Sequence, residues 1–251
     1  MKRIVKNKYY ALETKGTEVD IYIFGDITSW EWRESDVSSY TLSKELQALD
    51  PEIEVINVHI NSYGGEVAEG LAIYNALRNH KAKVKTYCDG FACSAASVIF
   101  MAGDERIMSI ASLLMVHNAW SYAAGDANQL RKQADDLETI TQASINAYMQ
   151  QINITEDELK ELLDNETWIL SSDALEMGFA TSITGETATE KAAANAKKAL
   201  FSLVKNSLIL QEIPQDTGGT DGVPDQALEP EPESVPPKQN KPIKFLSALM
   251  R

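Results

Sequence analysis

Between residues 19 and 102, three short runs rich in β-branched and aromatic residues alternate with stretches whose apolar residues recur at helical spacing. Residues 19–24 (VDIYIF), 53–60 (IEVINVHI) and 83–87 (KVKTY) read as strands. Between the first two, Leu42, Leu46 and Leu49 keep a helical interval, and Pro51 follows. Between the second and third, Val67, Leu71, Ile73, Tyr74 and Leu77 make one apolar stripe over residues 66–79. A β-α-β-α-β order of this kind calls for parallel strands joined by crossover helices, hence an α/β fold.

Downstream, residues 98–102 read as a buried helical run, and 107–108 and 113–116 as short strands. Gly125-Asp126 precedes a long helix over residues 127–152, with Leu130, Ala134, Leu137, Ile140, Ile145, Tyr148 and Met149 on its apolar positions. Such a helix spans about 39 Å, more than a compact domain of this size needs. It either meets another subunit along part of its length or lies across its own sheet. Thr155-Glu156-Asp157-Glu158 is a capping box that opens a helix to residue 163. Residues 168–170 lead into a helix over 172–177, and Gly178 is placed as its stop.

A chain of 251 residues with 44% hydrophobic content supports one large domain plus extensions. Its net charge of −14 is the wrong sign for neutralising phosphate, so neither nucleic acid nor an anionic membrane is an expected partner. The N-terminal residues lack a continuous apolar segment of the signal-peptide kind, and no run approaches the ~20 residues that span a bilayer. A cytoplasmic protein is expected. The two cysteines, Cys88 and Cys93, form neither a disulfide framework nor a CxxC metal pair and read as small core residues. Seven of the eight prolines fall between Pro214 and Pro242, where acidic residues also gather, so residues 211–251 are expected to be disordered. Residues 185–210, rich in Ala, Lys and Leu, are expected to form a surface helix. The final segment (KPIKFLSALMR) reads either as a frayed terminus or as a short docking element.

The segment YCDGFACSAASVIFMAG (residues 87–103) carries the first candidate chemistry. It reads as a strand, a tight turn at Asp89-Gly90 and a buried helix, with Ser94 at the helix start. Ser94 is either an N-cap in a small-residue turn or a nucleophile beside unpaired helix-start N–H groups. Two other strands end at comparable points, one at Gly64-Gly65 and one at Val116-His117-Asn118. In a parallel sheet these ends gather at one edge, where α/β proteins place their sites. A histidine arriving beside such a serine is a candidate general base.

These segments, in this order, resemble the Clp protease proteolytic subunit family over residues 18–184. Asn61-Ser62-Tyr63-Gly64-Gly65 is similar to its Asn-Ser-Pro-Gly-Gly turn, with tyrosine for proline. Gly90-Phe91-Ala92-Cys93-Ser94-Ala95 resembles its nucleophile segment. Met115-Val116-His117-Asn118 resembles the segment of its catalytic histidine. Residues 166–178 (ETWILSSDALEMG) align without gaps to the segment that begins at its catalytic aspartate. The resemblance implies a repeated β-α fold of the crotonase kind, with residues 127–152 as a long handle helix. It implies Ser94 as nucleophile, His117 as base, Glu166 as the third member, and the N–H groups of Gly65 and Ala95 as the oxyanion hole. Asp164 competes with Glu166 for the acid role. Gly90 and Ala92 would let substrate backbone approach. No cofactor or metal is implied, and with no Walker A pattern the chain itself should not bind ATP.

The resemblance further implies a serine endopeptidase acting on protein and peptide substrates inside stacked homo-oligomeric rings, heptamers in the family. Residues 1–17 do not match the family's N-terminal region, and residues 185–251 lie beyond its standard subunit. These ends, with the ETW segment, are closer to the phage and prophage branch, whose implied task is cleaving scaffold and capsid proteins during head maturation. An AAA+ unfoldase is the other implied partner. Two readings compete with the peptidase: a non-proteolytic, ring-forming capsid assembly or scaffold protein, and a crotonase-type acyl-CoA enzyme. A Cys93 nucleophile would sit one residue out of register.

Overall fold

The computed structural model describes residues 10–33 and 35–185, all within the first of the two units into which the chain divides, Met1–Asn206. The expected helix over 185–210 (beyond Gly185 itself), the tail over 211–251 and part of the extension over 1–17 lie outside the described residues. The expected α/β class holds. Strands β1 (Tyr10–Lys15), β2 (Glu18–Ile23) and β3 (Val55–Ser62) are joined by helix α1 (Ser39–Gln47) between β2 and β3. Helix α2 (Val67–Arg78) leads into β4 (Lys83–Cys93) and helix α3 (Ala95–Phe100). Then come β5 (Glu105–Ser109), β6 (Leu113–Val116), helix α4 (Ala127–Met149), helix α5 (Glu156–Asp164), β7 (Thr167–Leu170), helix α6 (Ser171–Met177) and β8 (Ser182–Thr184).

The sheet runs β1-β2-β3-β4-β5-β8, with β6 beside β4 and β7 beside β6. The pairs β2–β3, β3–β4, β4–β5, β4–β6 and β5–β8 are parallel, as the crossover helices require. The antiparallel pairs are β1–β2 and β6–β7. Helices α1, α2 and α3 cover one face, and Ile21, Ile56, Val58, Ile73, Leu77, Ile99 and Phe100 meet there in a closed core. Among the described residues no helix is long and apolar enough to cross a membrane.

Strand β4 departs from the sequence reading. It does not end at Asp89-Gly90 but continues to Cys93, changing neighbours on the way. Residues 85–88 pair with β5, and 91–93 pair with β6. The turn-forming dipeptide is overridden by the side chain of Asn61, which sits where a Gly90 side chain would be. A Cβ there would come 2.5 Å from Asn61 Oδ1, and the same oxygen accepts the Phe91 N–H at 3.1 Å. The β3–β4 register slips at this point, between Ile60 and Ser62, and the slip is thereby stitched.

Helix α4 begins where expected, on a capping box between Asp126 and Gln129, and ends at Met149, short of residue 152. Its buried residues are confined to its second half: Thr141, Ile145, Ala147 and Tyr148. From Ala127 to Ile140 most side chains are exposed, including Leu130 and Ile140, so the first half does not lie across its own sheet. Helix α5 opens on the expected capping box, Thr155 with Glu158. Gly178 ends α6 with φ 85°, and a Cβ there would strike the Asn153 side chain. Arg106 on β5 is buried and ties this end of the molecule together. It donates to the carbonyls of Phe179, Gly103 and Gly178 and to Gln151 Oε1, at 2.8–3.1 Å.

Candidate active site

Strand β4 delivers Ser94 and strand β6 delivers His117. Cys93 pairs with Met115 across the ladder, and the Ser94 N–H donates to the Met115 carbonyl at 2.9 Å. That bond brings the serine level with the end of β6, where His117 follows. Ser94 Oγ and His117 Nε2 lie 2.7 Å apart. Ser94 takes φ 54° and ψ −125°, a conformation that side-chain-bearing residues rarely hold and that surrounding contacts must maintain. Its hydroxyl makes no capping bond to α3, so the N-cap reading does not describe how the side chain is used.

The Gly64–Gly65 turn presses against this serine. Ile27 N–H donates to the Gly64 carbonyl at 3.0 Å, and Glu66 N–H donates to the Ile27 carbonyl at 2.8 Å, which pins the turn from outside. Gly64 has φ 99°, and a Cβ on it would come 2.8 Å from Ser94 Cβ and 3.1 Å from Ala95 N. Gly65 has φ 151°, and a Cβ would come 1.9 Å from the Ile27 carbonyl oxygen. Only glycine fits either place. Ala95 is the first residue of α3, so its N–H has no intrahelical partner. Among the described residues neither this N–H nor that of Gly65 has an acceptor.

The antiparallel register of β6 and β7 places the candidate acid Glu166. Val116 pairs with Thr167, so the residues just beyond this pair, His117 and Glu166, emerge at the same edge. Glu166 holds φ 47° and is exposed. No hydrogen bond joins it to His117 among the described residues; its charge acts on the imidazole through space. Burial of the half-buried ring lowers the His117 pKa below its ordinary value, and the Glu166 carboxylate opposes that shift. The net direction leaves His117 neutral at pH 7 and able to accept a proton at Nε2. Asp164, the competing acid, accepts instead from Asn118 Nδ2 at 2.7 Å.

Cys93 and Cys88 are fully buried, and burial pushes their thiols up to about 11 and about 12. Neither supplies a thiolate at neutral pH. Gly90 makes room for Asn61 and lines an open cleft with Tyr63 and Phe91, whereas Ala92 is buried in the core and faces no such space. Sequence reasoning also missed an aromatic chain beside the site. Tyr63, Phe91 and Trp168 meet edge-on, with centroids 5.4 and 5.6 Å apart, although Tyr63 and Trp168 remain at least half exposed. The three come from separate elements, and no spacing in the sequence links them.

Residues 33–187 match the family model described as Clp protease. The chain is 31% identical over 144 residues to an ATP-dependent Clp protease proteolytic subunit of Deinococcus radiodurans, covering 57% of this chain and 70% of the relative. It is 28% identical over 167 residues to ATP-dependent Clp protease proteolytic subunit 1 of Borreliella burgdorferi, covering 65% and 82%. The proteolytic subunit of Borreliella afzelii is likewise 28% identical, with 65% and 81% covered.

Proposed function

We propose that this chain, which belongs to the Clp protease family, hydrolyses peptide bonds as a serine-type endopeptidase through Ser94, His117 and Glu166. The observation that carries the assignment of residues is the 2.7 Å approach of Ser94 Oγ to His117 Nε2, made by a serine held in a strained conformation. His117 Nε2 takes the hydroxyl proton as Ser94 Oγ bonds to the substrate carbonyl carbon. The carbonyl oxygen becomes an oxyanion and takes the free N–H groups of Gly65 and Ala95. As the C–N bond breaks, His117 gives its proton to the leaving amine. Water, deprotonated by the same nitrogen, then releases the acyl group from Ser94. Glu166 favours the transient imidazolium by charge.

In finer detail, the active particle is a homo-oligomeric ring that encloses its sites, in a bacterial cytoplasm. Exposure of Leu130 and Ile140 on the first half of α4 supports a subunit contact there. The substrates are the scaffold and capsid proteins of phage head maturation, or proteins handed over by an AAA+ unfoldase. The ETW segment and the divergent chain ends support the phage alternative.

The test is incubation of the purified protein, without ATP, with casein, with a fluorogenic peptide and with candidate capsid proteins, beside Ser94→Ala. Cleavage and fluorophosphonate labelling are expected from the wild type and neither from the variant. Labelling that survives Ser94→Ala sinks the assignment of the nucleophile. Rings that bind capsid protein without cutting it favour the scaffold reading.

A further inference from the structure

Helix α4 reaches both members of the Ser94–His117 pair through two buried hydroxyl groups. Tyr148 is 2% exposed, and its phenol oxygen lies 2.7 Å from Ser97 Oγ. Ser97 is 1% exposed and donates its single hydroxyl proton to the Ser94 carbonyl at 2.6 Å. A hydroxyl has one proton to give, so Tyr148 must be the donor to Ser97. The order is fixed: Tyr148 O–H to Ser97 Oγ, and Ser97 O–H to the carbonyl of the nucleophile. Burial pushes the phenol pKa well up, in keeping with a phenol that stays protonated.

A serine bonding back to a carbonyl three residues earlier is common in helices and by itself means little. Here two facts set it apart. The carbonyl belongs to the residue held at φ 54°, and the serine is oriented by a tyrosine from another element. Thr141 stands seven residues before Tyr148, two turns along the same face of α4. Its Oγ1 accepts the N–H of Ala119 at 3.0 Å, two residues past His117. One face of one helix therefore holds the backbone of the nucleophile and the backbone that follows the base.

We propose that Tyr148, acting through Ser97, and Thr141, acting through Ala119, are positioning residues that set the approach of Ser94 Oγ to His117 Nε2. The proposal rests on the serine peptidase reading above. A misplacement of about 1 Å at a reacting group costs on the order of a hundredfold in rate, so loss of one hydroxyl contact is expected to cost about tenfold. Neither residue touches substrate, so binding should be spared.

The full chain is assayed as wild type, Tyr148→Phe, Thr141→Val and Thr141→Ser, reading kcat, KM, the fluorophosphonate labelling rate and the thermal midpoint. Phenylalanine keeps the ring contact with Phe179, whose centroid lies 5.9 Å away. The expected result is a fall of about tenfold in kcat and labelling rate for Tyr148→Phe and Thr141→Val. KM should stay within about twofold, and Thr141→Ser should restore wild-type rates. Unchanged kcat and labelling in both variants overturn the proposal, as does a loss accounted for by the unfolded fraction at the assay temperature. A response confined to one variant overturns the shared role of α4. A wild type that neither cleaves nor labels is a different result: it sinks the peptidase reading and this proposal with it.

Discussion

Asn118 Nδ2 donates to Asp164 Oδ1 across 2.7 Å, and the bond ties Asp164 to the residue beside His117 rather than to His117 itself. Glu166, at the edge where His117 emerges, is the acid whose charge reaches the imidazole. An exposed carboxylate acting through space contributes about 1 kcal/mol. Glu166→Gln is therefore expected to lower kcat about fivefold. Asp164→Asn should stay within about threefold, since the amide can still meet Asn118. Steady-state rates on one peptide decide between them; the reverse ranking would make Asp164 the partner.

The pH profile follows from the same ring. Burial holds the His117 imidazole below its ordinary 6.5, so the proposed base stays neutral to a lower pH than a free histidine would. The acid limb of kcat/KM should lie below pH 6.5. Glu166→Gln removes the one opposing charge and should move that limb further toward acid. Folding carries the matching sign: as pH falls below 6.5, the unfolded chain binds the proton before the native ring does, and stability drops. A limb above 6.5 would contradict the assigned environment.

Gly64 and Gly65 should each resist substitution by alanine. At Gly65 the new methyl meets the Ile27 carbonyl at 1.9 Å, and at Gly64 it meets Ser94 itself. Each change should cost about 2–4 kcal/mol of stability, from strain and displaced backbone. Denaturant unfolding gives the stability. Any folded Gly64→Ala protein should label with fluorophosphonate at least about tenfold more slowly, because the serine is displaced.

Arg106 should matter to stability without touching catalysis. Arg106→Leu leaves the acceptors on Phe179, Gly103, Gly178 and Gln151 without their donor in a closed interior. The expected loss is about 3 kcal/mol, read as a lower denaturation midpoint. Below that midpoint, activity per folded molecule should be unchanged. Arg106→Lys should recover little, because one ammonium cannot cover the spread of a guanidinium.

Much of the frame was legible in the sequence because burial imposes periodicity. Residues 19–24, 53–60 and 113–116 alternate or run apolar as half-buried strands must, and the stripe at Val67, Leu71, Ile73, Tyr74 and Leu77 could only be a helix packed on one side. Thr155 with Glu158, and Gly178, announced helix ends through chemistry local to a few residues. What stayed hidden depends on partners distant in the chain. The continuation of β4 past Gly90 needs the side chain of Asn61, thirty residues earlier. Strand β1 needs the edge of β2, and Tyr10 to Lys15 show no alternation of their own. Around the site, the Ser94 and His117 segments were recognisable as short motifs. The strain at Ser94, the Asn118–Asp164 bond and the hydroxyls of α4 arise only when those motifs are brought together.

The change of neighbours within β4 has a mechanical side. Past Gly90 the strand keeps β3 on one side, Ser62 pairing with Ala92, and takes β6 on the other; β6 in turn pairs with β7, and Ser94, His117 and Glu166 stand at one edge of this region. Before Gly90 it belongs with β3 and β5 in the broad sheet. The candidate groups thus stand on a strand gripped from both sides, by β3 across the bulge and by β6 beyond it, so the serine cannot slide along β4 without breaking ladder bonds on each side.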